Sequence, residues 1–597
     1  MRLFLDALVY PLDPAAPTPT SAADIPAASA LLVGDDGTVV ATGEPDELRA
    51  LATAPEAPAT LEEISLGGRV VLPGPVDGHL HAMSHAESLA EVDLRATTSL
   101  EEAIEVLRDY AVDLPADRWI TGGRWDYNKW GLDEQPDRAA LDAAFPDRPV
   151  ALSSIDFHTL WANGAALAAA GITDASPDPA GGQIVRDGTG RATGILREGP
   201  AMKPVFAAIP ELPVEVRADL LARAQEQWVA EGLVGVHCID GPDAREAWEV
   251  LHESGRLDLR IVKYLTTADL PYARGAEWHT GDGDAKLRRG GLKLFSDGAL
   301  GSQSSHMSSP YPHSHARGAD GVAEEIAEEN YGIQIATEDQ LVAGIREALE
   351  LDIALAIHAI GDQANHHVLN AYERTHAESE TARKRSGRPL RHRIEHAQFV
   401  QPDDVARFAA MGIVASMQPR HCISDLHLLD KLRPDPELAA YAWTDLEGVG
   451  AVVSFGSDGP VEPTNPFVAI YAAMTRADAN GDPLTTYQPE RRMSAYRAWV
   501  AHTRGPAHAA GWEDRAGALA PGMFADFVVL DVDPFVPGTL GAQVQGASAA
   551  EAYRVEGDGV TGEYPDEASL FAHARAIRDT RPVMTVIGGE IVYRAEG

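Results

Sequence analysis

Two histidines one residue apart, His79 and His81, close an apolar run in VLPGPVDGHLHAMSHAESL (71–89), and His85 follows four residues later. Residues two apart on a strand point to the same side, so His79 and His81 can hold one cation together, whereas His85 falls beyond the strand. Similar residues end later apolar runs: Lys293 and Asp297 in GLKLFSDG, His358 and Asp362 in IALAIHAIGD, His396 in RHRIEHAQ, and Asp458 in AVVSFGSDGP. One histidine at a strand end is usually a hydrogen-bonded structural group; a set on separate strands that converge on one rim is a site. Imidazole with carboxylate suits Zn²⁺ and other divalent transition ions. Lys293 stands apart, because an ammonium with a pKa of about 10.4 has no lone pair to give a cation. It is either an ordinary salt-bridged lysine or, after reaction with carbon dioxide, a carbamate able to bridge two ions.

Convergence needs an architecture. Eight apolar, β-rich runs begin at 71, 234, 260, 291, 353, 391, 413 and 451, and helical patterns such as DAREAWEVLHESG, TEDQLVAGIREALELD, ANHHVLNAYERTHAE and QPDDVARFAAMG lie between them. Alternating helices and continuously apolar strands predict a parallel sheet covered by helices, an α/β protein with a (β/α)8 TIM-like barrel whose strand C-termini meet on one rim. The wide gap after the first run predicts an insertion over about 90–230 that emerges on that rim. From it, Trp125 and Trp130 in GGRWDYNKW and His158 in HTLWANGAALAAAG are candidates for a substrate wall. Short alternating runs with Asp-Gly and Gly-Gly turns occupy both ends of the chain, so residues 1–70 and 511–597 are expected to share a small β domain beside a barrel spanning 71–510.

Bulk composition narrows the function. Ninety acids against 49 Lys plus Arg give a formal charge of −41 over 597 residues, which repels phosphate backbones and anionic lipid; neither nucleic acid nor membrane is an expected partner. No run approaches eighteen uninterrupted apolar residues. MRLFLDALVYPLDP carries Asp6 within its apolar run and reads as a first strand, not an export signal, so the cytoplasm is expected. Cys238 and Cys422 are too few for a disulfide framework and read as buried thiols. There is no GxSxG elbow and no phosphate-cradling glycine loop.

The motifs PGPVDGHLH, GLKLFSDGALGS, IHAIGDQAN, RIEHAQ and GSDGPVEPTNP, in this order, resemble the amidohydrolase superfamily, within it the family 3 branch of YtcJ-like proteins and N-substituted formamide deformylases. GGRWDYNKW, GGQIVRDGTGRATGILRE and GALAPGMFADFVVLDVDPF carry the likeness over most of the chain. The resemblance implies His79, His81, Lys293, His358, His396 and Asp458 as ligands of one or two Zn²⁺ ions, with Lys293 carbamylated, and a composite β-sandwich built from the chain ends. It also implies hydrolysis of a non-peptide C–N bond in a small molecule, an amide, N-acyl amine or N-substituted formamide, by metal-activated water with Asp458 as general base. Two alternatives stand beside it: a lactone or ester hydrolase or isomerase on the same barrel, and a catalytically silent binding protein. His306, in GSQSSHMSSPYPHSH, is either a surface loop residue or a substrate contact. The stretch 543–576 appears as extra length before the last strands and is read as local cover or a contact in a homo-oligomer such as a dimer.

Overall fold

The computed structural model describes all residues except 54–59, 133, 156–157, 180, 313–315, 318–322, 325–328, 433–437, 479–484, 538–556 and 597. The chain divides into two compact units, one of residues 1–85 and 221–597, the other of residues 86–220.

The larger unit contains the barrel. Its strands are β1 (Val76–Leu80), β2 (Gly235–Cys238), β3 (Arg260–Leu265), β4 (Leu287–Phe295), β5 (Leu355–Ala359), β6 (Arg393–His396), β7 (Val414–Met417) and β8 (Val453–Phe455). They run parallel in the order β8-β7-β6-β5-β4-β3-β2-β1. These are the eight runs expected; helices cover their outer faces, which keeps them rich in buried apolar residues, while polar side chains such as Lys293, Arg393 and Glu395 are also buried within them. Those helices include α1 (Pro242–Glu253), α2 (Glu338–Glu350), α3 (Asp362–Arg374), α4 (Pro402–Met411), α5 (Pro419–Ser424), α6 (Pro466–Thr475) and α7 (Ala495–Ala509). Their starts follow from local chemistry. Thr337 and Gln340 form a capping box on α2, and α4 opens with Pro402, Asp403 and Asp404, which suit the positive end of the helix dipole.

Between β1 and β8 no continuous ladder forms; beyond the strand ends the Asp458 amide donates to His79 O at 2.7 Å and the His81 amide to Gly459 O at 3.1 Å. Two glycines let the backbones approach this closely. A Cβ on Gly456 would lie 2.4 Å from the His79 nitrogen, and one on Gly78 would lie 2.6 Å from Phe455 O. The seam therefore binds the two ends of the barrel sheet together at His79 and Asp458.

The chain ends build one seven-stranded sheet in the order 590–594, 584–587, 527–530, 62–73, 2–9, 28–33, 39–43. Alternation divides its residues: Phe4, Leu31, Val71, Phe527 and Val586 fill one face, whereas Leu3, Leu5, Ala30 and Leu32 pack with the helix at 45–52 on the other. The stretch singled out at 543–576 lies partly outside the described residues. Its later part forms α8 (Glu567–Arg578), which buries Leu570, Phe571, Ala574 and Ile577.

The smaller unit is built on a six-stranded mixed sheet. Trp125, Trp130 and Trp161 meet in its core with ring centroids 6.0–6.2 Å apart. The Trp125 indole donates to Leu152 O and that of Trp130 to Thr97 Oγ1. Both rings are buried with their polar atoms satisfied, so their place is the core of this unit rather than a wall open to substrate. His158 is exposed on the same unit and pairs with Glu198 at 3.0 Å. Among the described residues, no helix is long and apolar enough to cross a membrane, and both cysteines are free and buried.

Candidate metal centre

β1 delivers His79, and His81 just past its last residue, to the C-terminal rim. Each is oriented from behind. His79 Nδ1 meets Glu395 Oε2, on the neighbouring end of β6, and His81 Nδ1 donates to Asp240 Oδ1 at 3.0 Å, just past β2. His396 repeats the pattern, its Nδ1 donating to Gln418 Oε1 at 2.8 Å. With the proton held on Nδ1 by an oxygen acceptor, each ring presents the lone pair of Nε2, the arrangement that orients metal-binding imidazoles.

The Nε2 atoms converge. Asp458 Oδ1 lies 3.3 Å from His79 Nε2 and 3.5 Å from His81 Nε2, and its other oxygen lies 3.6 Å from Nε2 of His421, on α5. Two donor groups result, His79–His81–Asp458 and His396–His421–Asp458, each compact enough for one ion. His79 Nε2 and His421 Nε2 are buried and have no hydrogen-bond partner. A buried polar atom left unpaired is costly, and a cation seated among these nitrogens and the carboxylate would satisfy both. The residues present therefore fit a divalent ion.

Electrostatics agree. Burial alone would raise the Asp458 carboxyl, but the hydrogen bond and charge of His79 hold it well below the ordinary range, so it is ionised. Burial drives His396 well below its ordinary value, leaving a neutral ligand. Behind His79, burial likewise opposes ionisation of Glu395, yet Arg393 and His79 keep its carboxyl well below normal. Arg393 donates to Glu395 at 2.6 and 2.7 Å, to Gly78 O at 2.8 Å, to Ser416 Oγ at 2.9 Å and to Tyr264 OH at 3.1 Å, which ties β1, β3, β6 and β7 into one polar core below the site. His396 and Asp458 have φ of +71° and +61°, a left-handed backbone that costs non-glycine residues energy and that clusters at functional sites.

The remaining expected residues divide. Lys293, on β4, is fully buried beneath the rim; burial lowers its pKa to about 8, against the opposing pull of Glu395 and Asp458. His358 stands beside His396, ring centroids 4.5 Å apart, with Nε2 3.2 Å from Gly298 O and 3.3 Å from Asp297 Oδ1. Asp297 and Asp362, at strand ends as well, are structural: Asp297 accepts from the amides of His306, Ile360 and Gly361, and Asp362 from Ser308 N and Gln401. His306 packs near His367 at 5.4 Å and belongs to neither donor group. Sequence reasoning missed Asp240, Glu395, Gln418 and His421. Asp240 ends an apolar run in HCID as the others do and was discoverable by the same rule; His421 lies beyond its strand, where that rule does not reach.

A (β/α)8 barrel with histidines and an aspartate gathered at its C-terminal rim defines a metal-dependent hydrolase. Residues 62–593 match the profile of the amidohydrolase family, and the chain belongs to that family. It is 32% identical over 509 residues to the Bacillus subtilis protein YtcJ, covering 84% of this chain and 90% of that one. It is 27% identical to an N-substituted formamide deformylase of Arthrobacter pascens, over 85% of this chain and 90% of the relative. Among solved structures, an uncharacterized metal-dependent hydrolase from Pyrococcus furiosus superposes with a TM-score of 0.70 at 27% identity, covering 89% of this chain and 99% of that one.

Proposed function

We propose that this protein hydrolyses a non-peptide C–N bond of a small molecule, an N-substituted formamide or N-acyl amine, using one or two Zn²⁺ ions. The observation that carries this reading is the convergence of three carboxylate-facing imidazole nitrogens, those of His79, His81 and His421, on the ionised Asp458. The deformylase relative supports the bond class. His79, His81 and Asp458 would hold one ion, and His358, His396 and a carbamylated Lys293 would complete the set. A bound divalent ion supplies Lewis acidity and lowers the pKa of water toward about 7.

The protein's own residues do the rest. Asp458, ionised and aimed at the rim, accepts the proton of the attacking water and passes it to the departing nitrogen, so that a neutral amine leaves. Glu395, Asp240 and Gln418 hold the three imidazoles in the required tautomer. His421, whose Nε2 faces Asp458, would either join His396 and Asp458 around the second ion or, with that ion on His358, His396 and Lys293, donate from Nε2 to the carbonyl oxygen of the scissile bond. Complete burial of the Lys293 amine lowers its pKa, so its neutral form, the one that adds carbon dioxide, is reached closer to neutrality.

The test combines elemental analysis of the purified chain, intact-mass measurement for added carbon dioxide, and turnover of formamides, N-acyl amines, cyclic amides, esters and lactones. Zinc with turnover of the first two groups is expected. Turnover of lactones or esters alone would overturn the bond class while leaving the metal centre standing.

A further inference from the structure

At the end of the barrel opposite the metal centre lies a cavity of about 420 Å³ that no step of the reaction above uses. It reaches Val453, the first residue of β8, whereas Asp458 follows the last. Its walls are α7, the segment at 14–19 and Val560, and its lining is largely apolar, with Met493, Val500 and Ala501 among the side chains. The volume falls within the range of about 300–1,000 Å³ found for small-molecule pockets. α7 and β8 pack closely along this wall, since a Cβ on Gly505 would lie 2.3 Å from Val453 O.

The charges in this cavity are unequal in their pairing. Arg497 donates from Nε to Glu447 at 2.7 Å. His508 lies 3.9 Å from Glu513, which also pairs with Arg391. Among the described residues Arg504, alone of the charged side chains on this lining, has no hydrogen bond or ion pair, although the chain carries 90 acids for its 49 Lys plus Arg. An arginine in a half-buried, apolar setting is costly without an anion, and its planar fork matches a carboxylate with two parallel bonds. Glu447 and Glu513 on the same lining disfavour a dianion such as phosphate, and the apolar walls favour a ligand with a hydrocarbon body.

We propose that this cavity is a second ligand site, which takes a compact monocarboxylate with an apolar body, its carboxylate on the Arg504 guanidinium. The experiment is calorimetric titration of the full-length protein with benzoate, with benzamide and inorganic phosphate as neutral and dianionic comparisons. Benzoate is expected to bind, benzamide and phosphate to bind at least about tenfold more weakly, and Arg504→Gln to weaken benzoate by about tenfold or more. Val500→Trp, which fills the cavity without touching the charge, should abolish binding, and thermal melting of both variants establishes that they are folded. Equal benzoate affinity in wild type and either folded variant would place the ligand elsewhere and overturn the proposal. So would the absence of binding to wild type at millimolar benzoate, or benzamide binding as tightly as benzoate.

Discussion

Replacing Glu395 by Gln tests the polar core that positions His79. The substitution preserves shape but removes the charge opposite Arg393 and puts an amide where two groups donate, the His79 Nδ1–H and the guanidinium. Arg393 and Glu395 are both fully buried, and Arg393 has its pKa raised by its surroundings and stays charged. Breaking a buried pair by removing one partner costs about 3–5 kcal/mol. Here Arg393 keeps Gly78 O, Ser416 Oγ and Tyr264 OH, so the lower end applies, and about 3 kcal/mol should be lost from the unfolding free energy of metal-free protein in urea. The double variant Arg393→Met, Glu395→Gln removes the stranded charge and should be less destabilised than the sum of the single changes, the sign of a coupled pair. Zinc affinity, measured by competition with a chelator, should fall about 10–100-fold because His79 loses the acceptor that fixes its tautomer. A loss below about 1 kcal/mol, with zinc affinity unchanged, would refute the reasoning: Glu395 would then neither neutralise Arg393 nor orient His79.

Asp458→Asn keeps an oxygen toward the imidazoles but cannot accept a proton, so turnover should fall about 10²–10⁴-fold while elemental analysis still finds metal; near-normal turnover would remove it as general base. Gly456→Ala places a methyl 2.4 Å from the His79 backbone nitrogen, which cannot yield, and 2.9 Å from the Asp77 carboxylate. Destabilisation of about 1–3 kcal/mol with loss of bound metal is expected, read by urea unfolding and elemental analysis. His392, His502 and His573 are buried neutral, burial lowering their pKa values to about 3, about 4 and about 4. Each binds its proton more readily unfolded than folded, so their contribution is intact above the ordinary histidine range near 6.5 and is lost as pH falls from there toward 4. Thermal melting across that window should show falling stability, and His392→Gln should flatten the fall; a profile identical to wild type would exclude His392.

Much of the architecture was legible in the chain. A strand covered on both faces is predominantly apolar and does not alternate, so eight such runs separated by helical periods announce a parallel barrel before any contact is known. The period of two then assigns His79 and His81 to one side, and the family motifs mark Lys293, His358, His396 and Asp458. Those patterns depend only on neighbours along the sequence. Aromatic type, in contrast, carries no direction: Trp125 and Trp130 read as wall or core alike, and only packing against Trp161 settled the matter.

What the sequence determined by itself, then, was which residues stand at strand ends. What tertiary structure decided was where their atoms point: the acceptors Glu395, Asp240 and Gln418 behind the imidazoles, the arrival of His421 at Asp458, and the structural employment of Asp297. These depend on the stagger between neighbouring strands and on the seam where β1 meets β8. Such pairings join residues hundreds of positions apart, and no local periodicity encodes them.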